Sequence, residues 1–169
     1  MTKPKTLQDL FEDTLKDIYF AEKRIFTTLP KMAKAAHNEE LRAAFEKHHR
    51  ETEQQISRLE QVFSLLDRKP QGKTCDAIIG ITEEGAEIMS DYKGMPALDA
   101  GLLAVAQAVE HYEISRYGTL RAWAQELGID KAAALLHATL EEEEATDEAL
   151  SRIAQRVVNR DALAESAAH

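Results

Sequence analysis

The segment TLEEEEATDEAL, residues 139–150, places four consecutive glutamates in a stretch whose other residues favour helix. Successive residues of an α-helix are rotated by about 100°, so four in a row cannot all face solvent if the helix has a buried side. The apolar residues around this segment recur at helical spacing, at Leu136, Leu140, Leu150 and Ile153. Of the acids, Glu143 and Asp147 fall on that line, and we expect both to face inward while Glu141 and Glu144 face solvent.

The same periodicity runs through most of the chain. Thr6 and Asp9 form a sequence pattern typical of a capping box, Asn38 is a candidate N-cap, Gly128 is a helix stop and Asp130 a further cap. Pro30 predicts a kink or break in the first helix. The predicted helices span residues 6–36, 38–66, 75–90, 97–127 and 130–159, with a frayed tail at 160–169.

The connections between these helices predict the fold class. The first two helices and the last two are joined by very short turns, near His37 and Gly128, which allow only antiparallel hairpins. Residues 67–95 form a long crossover that carries the short helix 75–90. We therefore predict a single all-α domain over residues 1–169, a four-helix bundle with ferritin-like connectivity.

Composition narrows the classes of partner. The chain has 21 Lys and Arg against 30 Asp and Glu, a formal net charge of −9, which disfavours nucleic acid and anionic membranes. No apolar stretch approaches the roughly 20 residues that a membrane span requires, and the single cysteine cannot form an internal disulfide. We expect a cytoplasmic protein.

Polar residues interrupt the apolar stripe of each long helix. Glu22 stands between Ile18 and Ile25, and His48 interrupts the second stripe with Glu51 three residues later. In the fourth helix the acids are three residues apart, within AVAQAVEHYEISRYGTL at 104–120. The candidate inward-facing residues are Glu22, His48, Glu51, Glu110, Glu113, Glu143 and Asp147.

These acids also occur at matching depths. Glu113 and Glu143 are equidistant from Gly128, and Glu110 and Asp147 are nearly so; Glu22 and Glu51 lie at almost equal distances from the turn at His37. Residues equidistant from the turn of an antiparallel hairpin lie level with each other. Several buried carboxylates at one level would repel unless cations neutralise them, and two divalent metal ions held by facing helices would do so.

Simpler interpretations stay open at this point. Glu22 and His48 could be boundary residues, and the acids of the last two helices could form salt bridges with Arg116, Arg121 or Arg152. Three tyrosines near the same level could be core aromatics, or one could hydrogen-bond a metal ligand or take part in redox chemistry. They are Tyr19, Tyr112 and Tyr117.

The chain resembles the YciE/YciF family of bacterial ferritin-like proteins over nearly its whole length. The matching segments are DIYFAEKRI (17–25), HHRETEQQI (48–56), VEHYEISRYGTL (109–120) and TLEEEEATDEAL (139–150). This resemblance implies a helical homodimer associated with bacterial stress responses, without an established activity.

A broader similarity to rubrerythrin implies a ligand set and a cofactor. The spacing of Glu110 and Glu113 matches the third helix of rubrerythrin, and that of Glu143 and Asp147 matches the fourth, although a histidine is expected where Asp147 stands. In the second helix His48 precedes Glu51, the reverse of the usual order. The cysteine-rich iron domain of rubrerythrin is absent, so the redox partner is unknown.

Three functional hypotheses result. The first is a di-iron or di-manganese carboxylate protein in which Glu51 and either Glu143 or Glu113 bridge the metals, and which oxidises Fe(II) or reduces dioxygen or peroxide. Its terminal ligands would be Glu22, His48, Glu110 and Asp147. The second hypothesis is a metal-free helical interaction module, and the third is a cage-forming storage protein.

Overall fold

The computed structural model describes residues 3–166, which form helices with no β-strand among them. The long helices are α1 (Leu7–Ala35), α2 (Glu39–Leu65), α4 (Leu98–Glu126) and α5 (Asp130–Ile153). The crossover carries α3 (Asp76–Asp91). A π-helical turn (Ala154–Val158) and α6 (Asn159–Ser166) follow α5 directly.

Helix α1 begins at the predicted capping box. The Thr6 hydroxyl accepts the Asp9 N–H, and the Asp9 carboxylate accepts the Thr6 N–H at 2.7 Å. The break considered at Pro30 does not occur, since α1 continues through this residue to Ala35. Pro30 removes one backbone donor, but the neighbouring Leu29 and Met32 are buried, and their packing holds this part of the helix in place.

Helices α1 and α2 form the first antiparallel hairpin. The side chain of Asn38 caps α2 by accepting the N–H of Leu41 at 3.0 Å, as predicted. Near the other end of the hairpin, the Tyr19 hydroxyl donates to Glu60 at 2.9 Å. Asp99, at the start of α4, accepts the backbone N–H groups of His37 and Asn38, which fixes the α1–α2 turn against the second hairpin.

Helices α4 and α5 form the second hairpin. Gly128 ends the first of them with a φ of +70°, a conformation that glycine adopts without steric cost. The prediction that Asp130 caps α5 is wrong, because Ile129 occupies the N-cap and Asp130 is the first helical residue. The pairing of His111 with Asp147 and of Arg121 with His137 shows the antiparallel register.

The last helix is longer than expected. The sequence predicted an end near Asn159 and a frayed tail at 160–169, whereas helical structure continues to Ser166. Residues 160–166 contain neither glycine nor proline and favour helix, so nothing in the sequence stops it. The final residues of the predicted tail, 167–169, lie outside the described residues.

The two hairpins pack into the predicted four-helix bundle with its long crossover, which confirms the all-α, ferritin-like fold class. The core is one continuous apolar cluster along the bundle axis. Its largest fully buried side chains include Phe11, Phe45, Phe63, Tyr117 and Leu120. Burial of each such side chain contributes roughly 1.5–3 kcal/mol, and this packing positions the polar residues described next.

Candidate metal centre

Four residues from three helices converge in the middle of the bundle. His48 comes from α2, Glu110 and Glu113 from α4, and Glu143 from α5, and all four side chains are buried. Each offers one ligand atom, and these atoms all lie within 4.8 Å of one another. A histidine nitrogen with three carboxylates is a donor set that suits Fe, Mn or Zn.

The imidazole of His48 is at the centre of this cluster. Its Nδ1 lies 2.8 Å from Oε1 of Glu110, while its Nε2 lies 3.7 Å from Oε2 of Glu113 and 3.6 Å from Oε2 of Glu143. The ring therefore reaches all three carboxylates through its two nitrogens.

Glu22 adds a fourth carboxylate from α1. It is fully buried, and its Oε1 accepts a short hydrogen bond from the hydroxyl of Tyr117 on α4. This bond fixes one oxygen of Glu22 and leaves Oε2 without a hydrogen-bond partner in the described part of the chain. Tyr117 is thus both a core aromatic and a hydrogen-bond donor to a candidate ligand, two roles that the sequence left open.

The cluster carries more buried polar atoms than the protein can satisfy. Within residues 3–163, whose side chains are described, Nε2 of His48 and both carboxylate oxygens of Glu110, Glu113 and Glu143 have no hydrogen-bond partner. Buried polar atoms are nearly always hydrogen-bonded, and an exception in a native protein requires an explanation. A metal ion would satisfy such oxygens and the free nitrogen together.

The pKa values of the buried carboxyls also show that ionised carboxylates are unfavourable in this cluster without a cation. Burial and, after it, the negative charge of Glu143 together raise the pKa of Glu22 from 4.5 to about 8. Burial likewise raises the pKa of Glu110 to about 8, and it holds the pKa values of Glu113 and Glu143 well above the usual range. Without a cation these carboxyls resist ionisation, because each ionised group lies in a poorly solvated site close to other negative charges.

The structure does not bring Glu51 and Asp147 into this cluster. Their side chains are each 22% exposed, and Glu51 pairs with Lys47 at 3.2 Å. Asp147 faces His111 at 3.1 Å and accepts from Gln107 at 3.2 Å. Both carboxylates lie close enough to raise the pKa of Glu110, so they form an acidic rim beside the buried cluster.

The salt-bridge alternative is not the arrangement that the structure shows. Arg116 lies over the ring of Tyr112, Arg121 faces His137, and Arg152 pairs with the exposed Glu148. All three guanidinium groups therefore contact partners other than the buried acids.

A further polar network was missed at the sequence level. Arg58 of α2 makes a bidentate ion pair with Glu142 of α5, with distances of 2.8 and 2.7 Å, and the buried Gln55 donates to the same carboxylate. The one indication of this network in the sequence is the position of Gln55 on the apolar stripe of α2. The network joins the two hairpins at Glu142, the residue directly before Glu143.

Comparison with known proteins identifies the family. The family model described as "Domain of unknown function (DUF892)" matches residues 6–163. This chain belongs to the DUF892 family. It is also similar to Protein YciF of Escherichia coli (strain K12), with 45% identity over 159 residues, which are 94% of this chain and 96% of that protein. The resemblance to the YciE/YciF family is therefore confirmed.

Solved structures similar to this chain share the fold. The structure of the E. coli stress protein YciF matches with a TM-score of 0.87 and 44% identity, covering 92% of this chain and 99% of that one. YcfI from Rhodopseudomonas palustris matches with a TM-score of 0.82 and 46% identity, over 87% and 94% of the two chains. A protein from Xanthomonas campestris pv. campestris, 23% identical over 95% and 99% of the two chains with a TM-score of 0.74, shows the fold alone.

The described helices contain no candidate membrane span. None of them within residues 3–166 is both long enough and apolar enough to cross a bilayer.

Proposed function

We propose that this DUF892 protein is a di-iron carboxylate protein, with manganese as the alternative metal. The observation that carries the proposal is the set of buried carboxylate oxygens and the buried imidazole nitrogen that lack hydrogen-bond partners within the described chain. The residues that would hold the metals are Glu22, His48, Glu110, Glu113 and Glu143.

Charge balance supports two ions rather than one. Four buried carboxylates bring a charge of about −4 when ionised, which two divalent ions neutralise. Each of the four long helices supplies at least one of the five residues. The site is thus built in the way that dimetal sites of ferritin-like bundles are built, with ligands on facing helices.

When bound, a pair of Fe(II) ions supplies two electrons, one from each ion, and these with two protons convert dioxygen to hydrogen peroxide or hydrogen peroxide to two waters. The chain itself contributes orientation and protection from solvent. Tyr117 holds Glu22 through its hydroxyl, and Glu110 lies against Nδ1 of His48. Buried apolar side chains such as Ile18 and Ile25 flank Glu22 along α1 and keep bulk water out.

The role of the rim acids is separate in this proposal. Glu51 and Asp147 lie partly in solvent beside the cluster, where their charge attracts cations towards the buried carboxylates. The sequence predicted that both acids bind metal directly. We propose instead that they attract cations from outside the set of five metal-binding residues.

Metal analysis tests the proposal directly. Protein purified without chelator or histidine tag, then reconstituted with Fe(II), is expected to hold two ions per chain. The Glu113→Gln variant removes one charge from the cluster and should hold less metal, whereas Glu144→Gln alters an exposed residue on the same helix as Glu143 and should match the wild type. Iron plus manganese far below one ion per chain in the wild type would contradict the proposal.

A metal-free interaction module is the second candidate, favoured by one specific observation. The raised pKa values of Glu22 and Glu110, both about 8, would keep these carboxyls protonated and uncharged at neutral pH without a metal. Under this alternative Glu143→Gln leaves the melting temperature unchanged with and without Fe(II).

The homodimer, the cytoplasmic location and a role in stress responses complete the proposal. A solved relative is described as a stress protein, which motivates the last of these. The mass in solution distinguishes a dimer from a storage cage, and a cage would support the third hypothesis instead.

A further inference from the structure

A groove of about 350 Å³ opens to solvent between α1 and α2. Its floor is apolar and consists of Leu29, Ala33 and Phe45, all of which are buried. Ligand pockets in proteins typically have volumes of about 300–1,000 Å³ and are lined mostly by apolar side chains. The groove therefore has the size and the floor of a binding site for a small molecule.

Basic side chains lie at both ends of this groove. Lys34 and Arg42 are near the α1–α2 turn, and Arg50 lies eight residues beyond Arg42 on α2, which corresponds to roughly 12 Å of helix. Beside Arg50, the ring of His49 stacks on that of Phe26 with the ring centroids 4.2 Å apart. These cations contrast with the net charge of −9 of the whole chain and favour an anionic ligand.

The basic groups have capacity to bind an anion. Nε and Nη2 of Arg42 donate to the carbonyls of Ala33 and Ala36 at 3.3 and 2.7 Å, which fixes the guanidinium and leaves its Nη1 without a partner among the described residues. Within the same part of the chain, Lys34 and Arg50 have no hydrogen-bond or ion-pair partner. A guanidinium that is already held in place loses little freedom when it binds a carboxylate.

Glu46 determines where the charges of such a ligand lie. Of the described residues it is the one acid in the groove wall, and it stands midway between Arg42 and Arg50 on α2. The spacing of four residues to each arginine allows an ion pair on a helix surface, yet Glu46 pairs with neither. Its exposed carboxylate repels negative charge near the middle of the groove, so an anion is best placed with its charges at the two ends.

We propose that this groove binds a straight-chain dicarboxylate, an organic dianion whose two acidic groups are joined by an apolar chain. One carboxylate accepts from Nη1 of Arg42 and from Lys34, the other accepts from Arg50, and the apolar chain lies over the floor between them. The proposal does not depend on the metal, because none of the five proposed metal-binding residues lines the groove.

Binding is tested by isothermal titration calorimetry of the purified protein with three probes. Sebacate has two carboxylates joined by an apolar chain, decanoate has the same length with one carboxylate, and succinate has two carboxylates with almost no apolar chain. Sebacate is expected to bind about fivefold more tightly than decanoate, the gain that one exposed ion pair provides at most, and succinate should bind more weakly than either. Equal affinity for sebacate and decanoate, or succinate binding as tightly as sebacate, would overturn the proposal.

A variant at one end of the groove tests the arrangement of charges. Arg50→Gln should lower the affinity for sebacate about fivefold, to that of decanoate, whereas decanoate keeps its wild-type affinity because it uses the other end. Arg50 has no partner in the described chain, so its replacement should leave the melting temperature unchanged. The matched control, Lys131→Gln, removes one positive charge from an exposed position of α5 and should keep the preference for sebacate. Loss of the preference in both variants, or in neither, counts against the proposal.

Nuclear Overhauser effects locate the bound chain independently of any variant. The methylene protons of sebacate are expected close to the methyl groups of Leu29 and the ring of Phe45. Contacts instead with Leu65 and Leu135, on the apolar surface between α2 and α5, would assign binding to the wrong place and refute the proposal. A second copy of this chain is the other occupant to test: if it covers the groove, sebacate does not bind and Arg50→Gln lowers the mass measured by sedimentation, a result that also excludes the dicarboxylate.

Discussion

Nδ1 of His48 lies 2.8 Å from Oε1 of Glu110, and Nε2 of the same ring lies 3.7 Å from Oε2 of Glu113 and 3.6 Å from Oε2 of Glu143. A metal-bound histidine almost always donates its second ring N–H to a carboxylate or a carbonyl, which fixes the tautomer. Metal binding at Nε2 would place the ring proton on Nδ1, at a distance from Glu110 that a hydrogen bond requires. The chain thus orients one nitrogen towards the position that its unpartnered carboxylates surround.

Replacing Glu143 by glutamine should separate the effects on folding and on metal. At about pH 8, where the buried Glu22 and Glu110 ionise, removal of the Glu143 carboxyl relieves repulsion, so the metal-free variant is expected to melt about 2–4 °C higher, the shift that ~1 kcal/mol produces in a chain of this size. Its affinity for Fe(II) should fall by at least the 10–100-fold that loss of an outer-shell partner costs.

The matched control is Glu144→Gln, which changes the neighbouring, exposed residue. Differential scanning calorimetry with and without Fe(II) gives both quantities for each variant. A Glu143→Gln protein that retains wild-type metal affinity would remove Glu143 from the ligand set.

The rim acids provide a test of the ligand assignment. Because Asp147 is held by Gln107 and His111 outside the cluster, Asp147→Asn should keep the number of bound metal ions and change the affinity by less than the roughly tenfold that an outer-shell ligand partner contributes. Glu110→Gln, which alters a buried member of the cluster, should lower the number. Isothermal titration of Mn(II) into both variants measures the number of bound ions. If Asp147→Asn binds one ion fewer than the wild type, Asp147 is a metal ligand after all.

The helical period explains which inward residues could be predicted. In α2 the buried positions His48, Thr52 and Gln55 follow one line, and Glu51 lies to one side of it. In α5 the line through Glu143 continues at Thr146 rather than at Asp147. A stripe defined only by apolar residues does not distinguish a step of three from a step of four, since both fall on nearly the same face.

Contacts between the two hairpins could not be predicted from the sequence for a different reason. The register of α1 against α2 follows from a short turn, so the matching depth of Glu22 and the second-helix residues could be calculated. Arg58 and Glu142 are joined only through the crossover, and their pairing depends on how the two hairpins dock and on their side-chain rotamers.

Two glycines of α4 should respond in opposite ways to alanine. A Cβ at Gly101 would lie 2.7 Å from Cγ2 of Ile88 on α3, whereas no atom of the described chain lies within 4 Å of a Cβ built at Gly118. Alanine in a helix interior is favoured over glycine by about 1 kcal/mol. Gly118→Ala should therefore raise the free energy of unfolding by up to that amount, and urea denaturation measures it.

At Gly101 the same gain is opposed by the displacement of Ile88. Overpacking typically costs roughly 1–3 kcal/mol, so Gly101→Ala is expected to be neutral or destabilising. Equal stabilisation by both alanines would show that α3 moves away from α4 without cost.

The metal-free protein should become less stable as the pH rises towards 8. The carboxyls of Glu22 and Glu110 ionise near 4.5 in the unfolded chain, whereas burial raises their folded pKa values to about 8. Each contribution to stability is therefore complete below about pH 4.5 and is lost as the pH rises through about 8. Substituting Glu22 by glutamine removes one of these groups and should flatten the decline.

The metal-loaded protein should show the opposite trend over the same range. Metal binding requires ionised carboxylates and a neutral His48, so protons compete with the metal and the stabilisation by metal grows as they are released. Melting temperatures of both forms between about pH 4.5 and 8, the range that spans the reference Glu and His values, measure this difference. The increment due to metal is expected to increase steadily with pH, since the charge that destabilises the metal-free cluster is the charge that binds the ions. An increment that stays constant across the range would mean that the metal binds elsewhere than at the buried carboxyls.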